Sequence, residues 1–142
     1  MFLQTDLNAF LISAYRETEY RFIQGCCCVL KVDVTSLELA NFYKAKGVTC
    51  AAFITAYNPF SRTLSDTENR QRQAKLAAEL SLRSLSYLEG VGQHPSSNWP
   101  GEPSFLVLGV ALEAAKSLGK TFEQNAIIWS GPDAVPTLIL LR

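Results

Sequence analysis

The apolar run Cys50 to Tyr57 ends at Asn58-Pro59, and a capping box, Ser65-Asp66-Thr67-Glu68, then opens the longest helical pattern in the chain. Phe53, Ile54 and Thr55 suit a buried central strand, and proline, which has no N–H to give a neighbour, closes its ladder. The serine hydroxyl and the glutamate of the box can each satisfy a backbone donor that the first turn leaves unpaired, so the helix starts there and runs to about Leu85. A strand, a polar loop and a helix in succession constrain the rest. Such a junction presents free N–H groups and the positive end of a helix above the strand end, where many ligand sites are built.

The flanking segments fit around that unit. Thr5-Asp6 ahead of Leu7, Phe10, Leu11, Ala14 and Tyr15 predicts a helix from about Asp6 to Arg16, lying outside a sheet. Thr18 to Gln24 and Cys26 to Val32 read as two strands about Gly25, and Thr35-Ser36-Leu37-Glu38 reads as a capping box with Thr35 as the cap of a helix that Gly47 stops. Downstream, Tyr87 to Val91 is a strand, Gly92 to Pro103 a long loop and Ser104 to Gly109 a strand. Ala111 to Leu118 is a helix stopped by Gly119, and Gln124 to Trp129 with Thr137 to Leu141 forms a hairpin across Ser130-Gly131-Pro132-Asp133. The order predicts one α+β domain over residues 1–142. Residues 50–142 form a split β-α-β-like core, and residues 1–49 add a helix, strands and a second helix; the sheet is antiparallel or mixed, with helices packed mainly on one face.

Composition narrows the function classes. The 13 basic and 13 acidic residues cancel, which gives no general electrostatic reason to expect nucleic acid or an anionic membrane, although Arg62, Arg70, Arg72 and Lys75 gather at one helix end. No stretch is apolar enough to span a bilayer and the N-terminus does not read as a signal peptide, so a cytoplasmic location is expected. Cys26, Cys27 and Cys28 are adjacent on a strand, where neighbours point to opposite faces, and they read as small apolar residues of a reduced protein. No spacing suggests a metal or cofactor site, and no nucleophile with a fixed base can be named.

The candidate site lies around the central junction. On the long helix Asn69, Gln73, Leu76 and Leu80 share one side with Arg72 beside them, so the core stripe turns polar toward its N-terminus. An amide buried without a partner costs about 1 to 3 kcal/mol, so Asn69 and Arg72 either tie down the loop or line a pocket. Thr55, Asn58, Ser61 and Glu68 join them, and the helix end with its arginines suits an anionic group such as a phosphate. In the long loop, Trp99 offers a stacking face and Glu102 a possible acid or base, while Gln124 precedes the next apolar strand; His94 reads as an exposed loop residue.

Four blocks, AAFITAYNPFS at 51–61, Glu68-Asn69 with Arg72, WPGEPSFLVLG at 99–109 and FEQNAIIW at 122–129, resemble a bacterial family described as domain of unknown function 3293, from about Tyr15 onward. The resemblance brings no established activity. It implies only that Thr55, Asn58, Pro59, Glu68, Asn69, Arg72, Trp99, Glu102, Gln124 and Asn125 occupy motif positions; it implies nothing for Phe60, Arg62 and the triple cysteine. Two functions are set against each other. One is a pocket for a small polar or phosphorylated ligand, with no cofactor; the other is a non-enzymatic interaction or regulatory module that offers a sheet edge, such as Thr137 to Leu141, to a protein partner or a second copy.

Overall fold

The structure, a computed structural model, describes residues 5, 7–24, 26–96 and 100–142. Its elements are α1 (Ala9–Glu17), β1 (Glu19–Gln24), β2 (Cys26–Leu30), α2 (Leu37–Lys46), β3 (Ala51–Ile54), α3 (Asp66–Leu82), β4 (Tyr87–Gln93), β5 (Glu102–Leu108), α4 (Leu112–Thr121), β6 (Ala126–Ser130) and β7 (Thr137–Leu140), with a 3-10 turn at Pro59–Ser61. The strands form one seven-stranded sheet in the order β2-β1-β4-β5-β3-β6-β7. Every adjacent pair is antiparallel. Strands β3 to β6 with α3 and α4 make the split β-α-β core, and β1 and β2 extend the sheet beyond β4.

Alternation along the strands divides the interior in two. On one face Ala52 and Ile54 of β3, Phe105 and Val107 of β5 and Ile127 of β6 meet Leu76 and Leu80 of α3 and Ala115 and Leu118 of α4. On the other, Phe53, Leu106, Leu108, Ile128, Phe22 and Leu30 meet Leu39, Phe42 and Tyr43 of α2. The two core helices thus share a face, and α2 covers part of the opposite one.

Local signals correct several sequence expectations. Asn8 caps α1 by accepting from the Leu11 N–H, so the helix starts later than Thr5-Asp6 suggested, and Asp6 is outside the described residues. Ser36, not Thr35, caps α2. Ser65 caps α3 as its sequence indicates, and its hydroxyl also bonds Glu68 at 3.0 Å. Gly119 lies inside α4 instead of ending it, because a Cβ there would come within 2.5 Å of Leu141 Cδ1 and 2.8 Å of Ile127 Cγ2. The segment read as a long loop is shorter: β4 continues to Gln93, β5 begins at Glu102, and Gly92 pairs with Glu102 across them.

Two glycines of β4 point to the α2 side of the sheet and do different things. A Cβ on Gly90 would meet the Arg21 main-chain oxygen at 2.5 Å and the Phe53 ring at 2.9 Å, so the aromatic ring lies where a side chain would otherwise be. A Cβ on Gly92 would meet nothing closer than 3.7 Å. Gly90→Ala should therefore cost about 1 to 3 kcal/mol, since backbone cannot step aside, whereas Gly92→Ala should fall within about 0.5 kcal/mol of the parent. Urea unfolding of the two variants checks this; equal losses would contradict it.

Candidate functional site

Beyond the reach of α2, the same face of the sheet opens into a cleft of about 580 Å3. Its floor is set by strand alternation: Phe53 and Thr55 from β3 and its end, Glu102 and Ser104 from β5, Ala126 and Ile128 from β6, and Gly92 from β4. Leu11, Ala14 and Tyr15 of α1 form one wall, and the loop from Tyr57 to Leu64 with Asn69 of α3 forms another.

The loop is held by amides. Asn58 adopts the left-handed conformation (φ 46°), which asparagine tolerates better than most side chains. Its N–H donates to Asn69 Oδ1 at 2.8 Å, and Asn69 Nδ2 donates back to Asn58 Oδ1 at 2.8 Å. Asn58 Oδ1 also accepts from the Leu64 N–H at 3.1 Å. Asn69, 3% exposed, is thus satisfied entirely by the loop it fixes. Phe60, Ser61 and Glu123 also have positive φ, and the Phe60 N–H donates to the Glu123 carbonyl at 2.7 Å, so two strained turns brace each other. Gln124 Nε2 donates to the Tyr57 and Phe122 carbonyls, both at 3.1 Å, and Asn125 Nδ2 donates to Ser61 Oγ and Tyr15 Oη at 2.9 and 3.0 Å.

Arg72 turns away from the cleft. Its Nε donates to the Ala56 carbonyl at 2.7 Å, another nitrogen donates to the Phe122 carbonyl, and a third lies 3.4 Å from Glu123 Oε1. It joins the end of β3 to the turn before β6. Of the residues singled out in the sequence, Thr55, Asn58, Ser61, Asn69, Glu102 and Gln124 line one cleft, and Arg72 stands behind it. Glu68 is exposed and serves its own helix start. Trp99 lies outside the described residues. Neither lysine nor arginine lines the cleft among the described residues, whereas Asp66 and Glu102 do. The expectation for His94 is corrected, since it lines the cleft, only 15% of its side chain is exposed, and it pairs with Glu17 at 2.8 Å.

Glu102 is the chemically distinctive group. Burial pushes its carboxyl up to about 7, partly opposed by the hydrogen bond from Asn58 Nδ2 to Oε2 at 3.2 Å. Oε1 has no hydrogen-bond partner among the described residues. Beside it, burial raises the Tyr20 phenol well above its usual range, and the Glu102 charge adds to that shift. Among the described residues no group of three His, Cys, Asp or Glu side chains could hold a metal ion.

The family described as protein of unknown function (DUF3293) matches residues 54–127, from the end of β3 into β6. The chain belongs to this family. No curated protein and no solved structure matches it. The DUF3293 segment contains the loop, the N-terminal turns of α3, Glu102 and Gln124, whereas the α1 wall and Tyr20 lie outside it. Those outer contributors escaped the sequence reading because nothing in a helix or strand pattern says which face it will offer to a distant cleft. Gly92 was the available signal for an open position, whereas Gly90, two before it, makes room for the Phe53 ring.

Two outcomes follow from these contacts. Arg72→Leu should lose about 2 to 4 kcal/mol in urea unfolding, because two carbonyls lose a charged donor; an unchanged midpoint would show that the tie is dispensable. A carboxyl whose pKa is higher in the folded chain holds its proton more tightly there, so its contribution is fully present below the ordinary value of 4.5 and disappears as pH rises through about 7. Glu102→Gln should therefore match the parent near pH 4.5 and exceed it at pH 8 by on the order of 1 to 3 kcal/mol. Stability curves that stay parallel across that range would contradict the burial of this carboxyl.

Proposed function

We propose that the protein is a cytoplasmic small-molecule-binding domain whose ligand occupies the cleft between α1, the Tyr57 to Leu64 loop and the open end of the sheet. The observation that carries this reading is the cleft itself, about 580 Å3 in volume, with an apolar floor of Phe53, Ile128 and Leu138 and polar groups gathered along one side at Thr55, Asn58, Glu102 and Gln124. Ligand sites of this size combine an apolar body with a few placed polar groups in the same way. The loop amides are spent on each other and on backbone, so the rim is fixed before anything binds, and a fixed rim lowers the entropy lost on association. The location draws support from Cys50, whose thiol donates to the Val110 carbonyl and forms no disulfide. Asn69 and Arg72 act as scaffold in this reading, while Glu102 and Thr55 face the ligand.

Gly92→Met tests the assignment, since Gly92 lines the cleft and tolerates a Cβ. A fragment library screened by NMR against the parent should yield compounds that shift cleft resonances, and Gly92→Met, folded and at least as stable, should lose them. Fragments that bind the variant equally well, or a parent that binds none, would overturn the reading.

A further inference from the structure

The register places three cleft residues side by side. Tyr20 of β1 pairs with Gly92 of β4, and Gly92 pairs with Glu102 of β5, so an aromatic ring and a carboxylate flank a position with no side chain. With strands about 4.8 Å apart, the backbones of Tyr20 and Glu102 stand roughly 10 Å from one another, and the gap between them is open to the cleft. Phe53 continues the aromatic surface, its ring 5.3 Å from Tyr20 in an edge-to-face arrangement at 68°. Along the same strand the Phe53 ring fills the space over Gly90, whereas at Gly92 the nearest atoms, Thr18 Cγ2 and Tyr20 Cδ1, stand 3.7 Å from where a Cβ would be and leave room beyond it.

Two side-chain acceptors that line the cleft remain unengaged among the described residues. Glu102 Oε1 has no partner among the described residues, and Gln124 has committed its nitrogen to two carbonyls, which leaves its oxygen. Among the described residues the lining includes Asp66, and His94 already engaged by Glu17, and neither lysine nor arginine. A desolvated carboxylate without a cationic neighbour is poorly compensated, and aromatic faces attract cations through their quadrupole. Resting on the small-molecule reading above, we infer that the ligand is an organic ammonium: an N–H-bearing cationic head held by Glu102 Oε1 in the Gly92 slot against Tyr20, and an apolar body lying along Phe53, Ile128 and Leu138. An N–H donor satisfies Oε1 directly, which a quaternary nitrogen cannot.

Three probes of nearly one shape and different charge decide the matter: 3-phenylpropylamine, 3-phenylpropanol and 3-phenylpropionate, titrated at pH 8 into the 15N-labelled full chain while amide shifts are followed. The amine should bind about tenfold or more tighter than the alcohol, with the propionate weakest, and Glu102→Gln should reduce the amine to the affinity of the alcohol. Equal affinity for amine and alcohol in the parent, or tightest binding of the propionate, would overturn the ammonium assignment. If Gly92→Met then abolished that charge-blind binding, the cleft would stand and only the ligand class would fall. No cleft shift with any of the three would overturn both. An amine preference that persists in Glu102→Gln would place the cation elsewhere and likewise overturn the inference.

Discussion

The reciprocal amide pair between Asn58 and Asn69 is the contact on which the cleft depends. Strand β3 stops at Ile54, earlier than the apolar run to Tyr57 suggested, and the chain turns away from the sheet at Asn58-Pro59 through backbone conformations that most residues avoid. Such a turn persists only where its surroundings over-determine it. Asn69 supplies a donor and an acceptor from the first turns of α3, Asn58 spends its own oxygen on Leu64, and Arg72, one turn further along, grips the carbonyls of Ala56 and Phe122. One helix end therefore locks two loops. The polar residues that look like a binding site in the sequence are largely what keeps the cleft in shape.

That arrangement explains how a carboxyl comes to be buried at the rim. Among the described residues the Glu102 carboxylate receives one hydrogen bond, from Asn58, whose remaining polar atoms are occupied by the loop. The side chain is thus placed by the scaffold without being neutralised by it. The basic residues gathered at the start of α3 in sequence do not reach it: Arg72 is engaged behind the loop, and Arg62 lies over the Phe60 ring, 6.0 Å from its centre.

The sheet and its helices were largely legible in the sequence because their signals are local. Alternation, capping serines and turn residues act within a few positions, and they predicted α3, the antiparallel β6-β7 hairpin and the split core. Errors arose where distant packing decided the outcome. Gly119 reads as a stop but serves the close approach of α4 to Ile127 and Leu141. The same division holds for the site. The polar loop was visible as a junction, and six of its chosen residues line one cleft. Which way Arg72 turns, and that Tyr20 would stand across Gly92 from Glu102, depend on a register between strands far apart in the chain.

Helix α1 forms a wall of the cleft without burying any residue of its own. It is held through side-chain ends: Tyr15 to Ser61 and Asn125, Arg16 to Asp33, Glu17 to His94. A helix of nine residues is too short to persist alone in water, so its order is borrowed from those polar contacts and from the half-buried Leu11, Ile12, Ala14 and Tyr15. Its opening is consequently a local event with a free energy well below that of global unfolding, and its amide hydrogens exchange with solvent on a faster timescale than those of the central strands. Loosening of α1 would therefore reshape one wall of the cleft while both hydrophobic cores, to which α1 contributes no residue, stay intact.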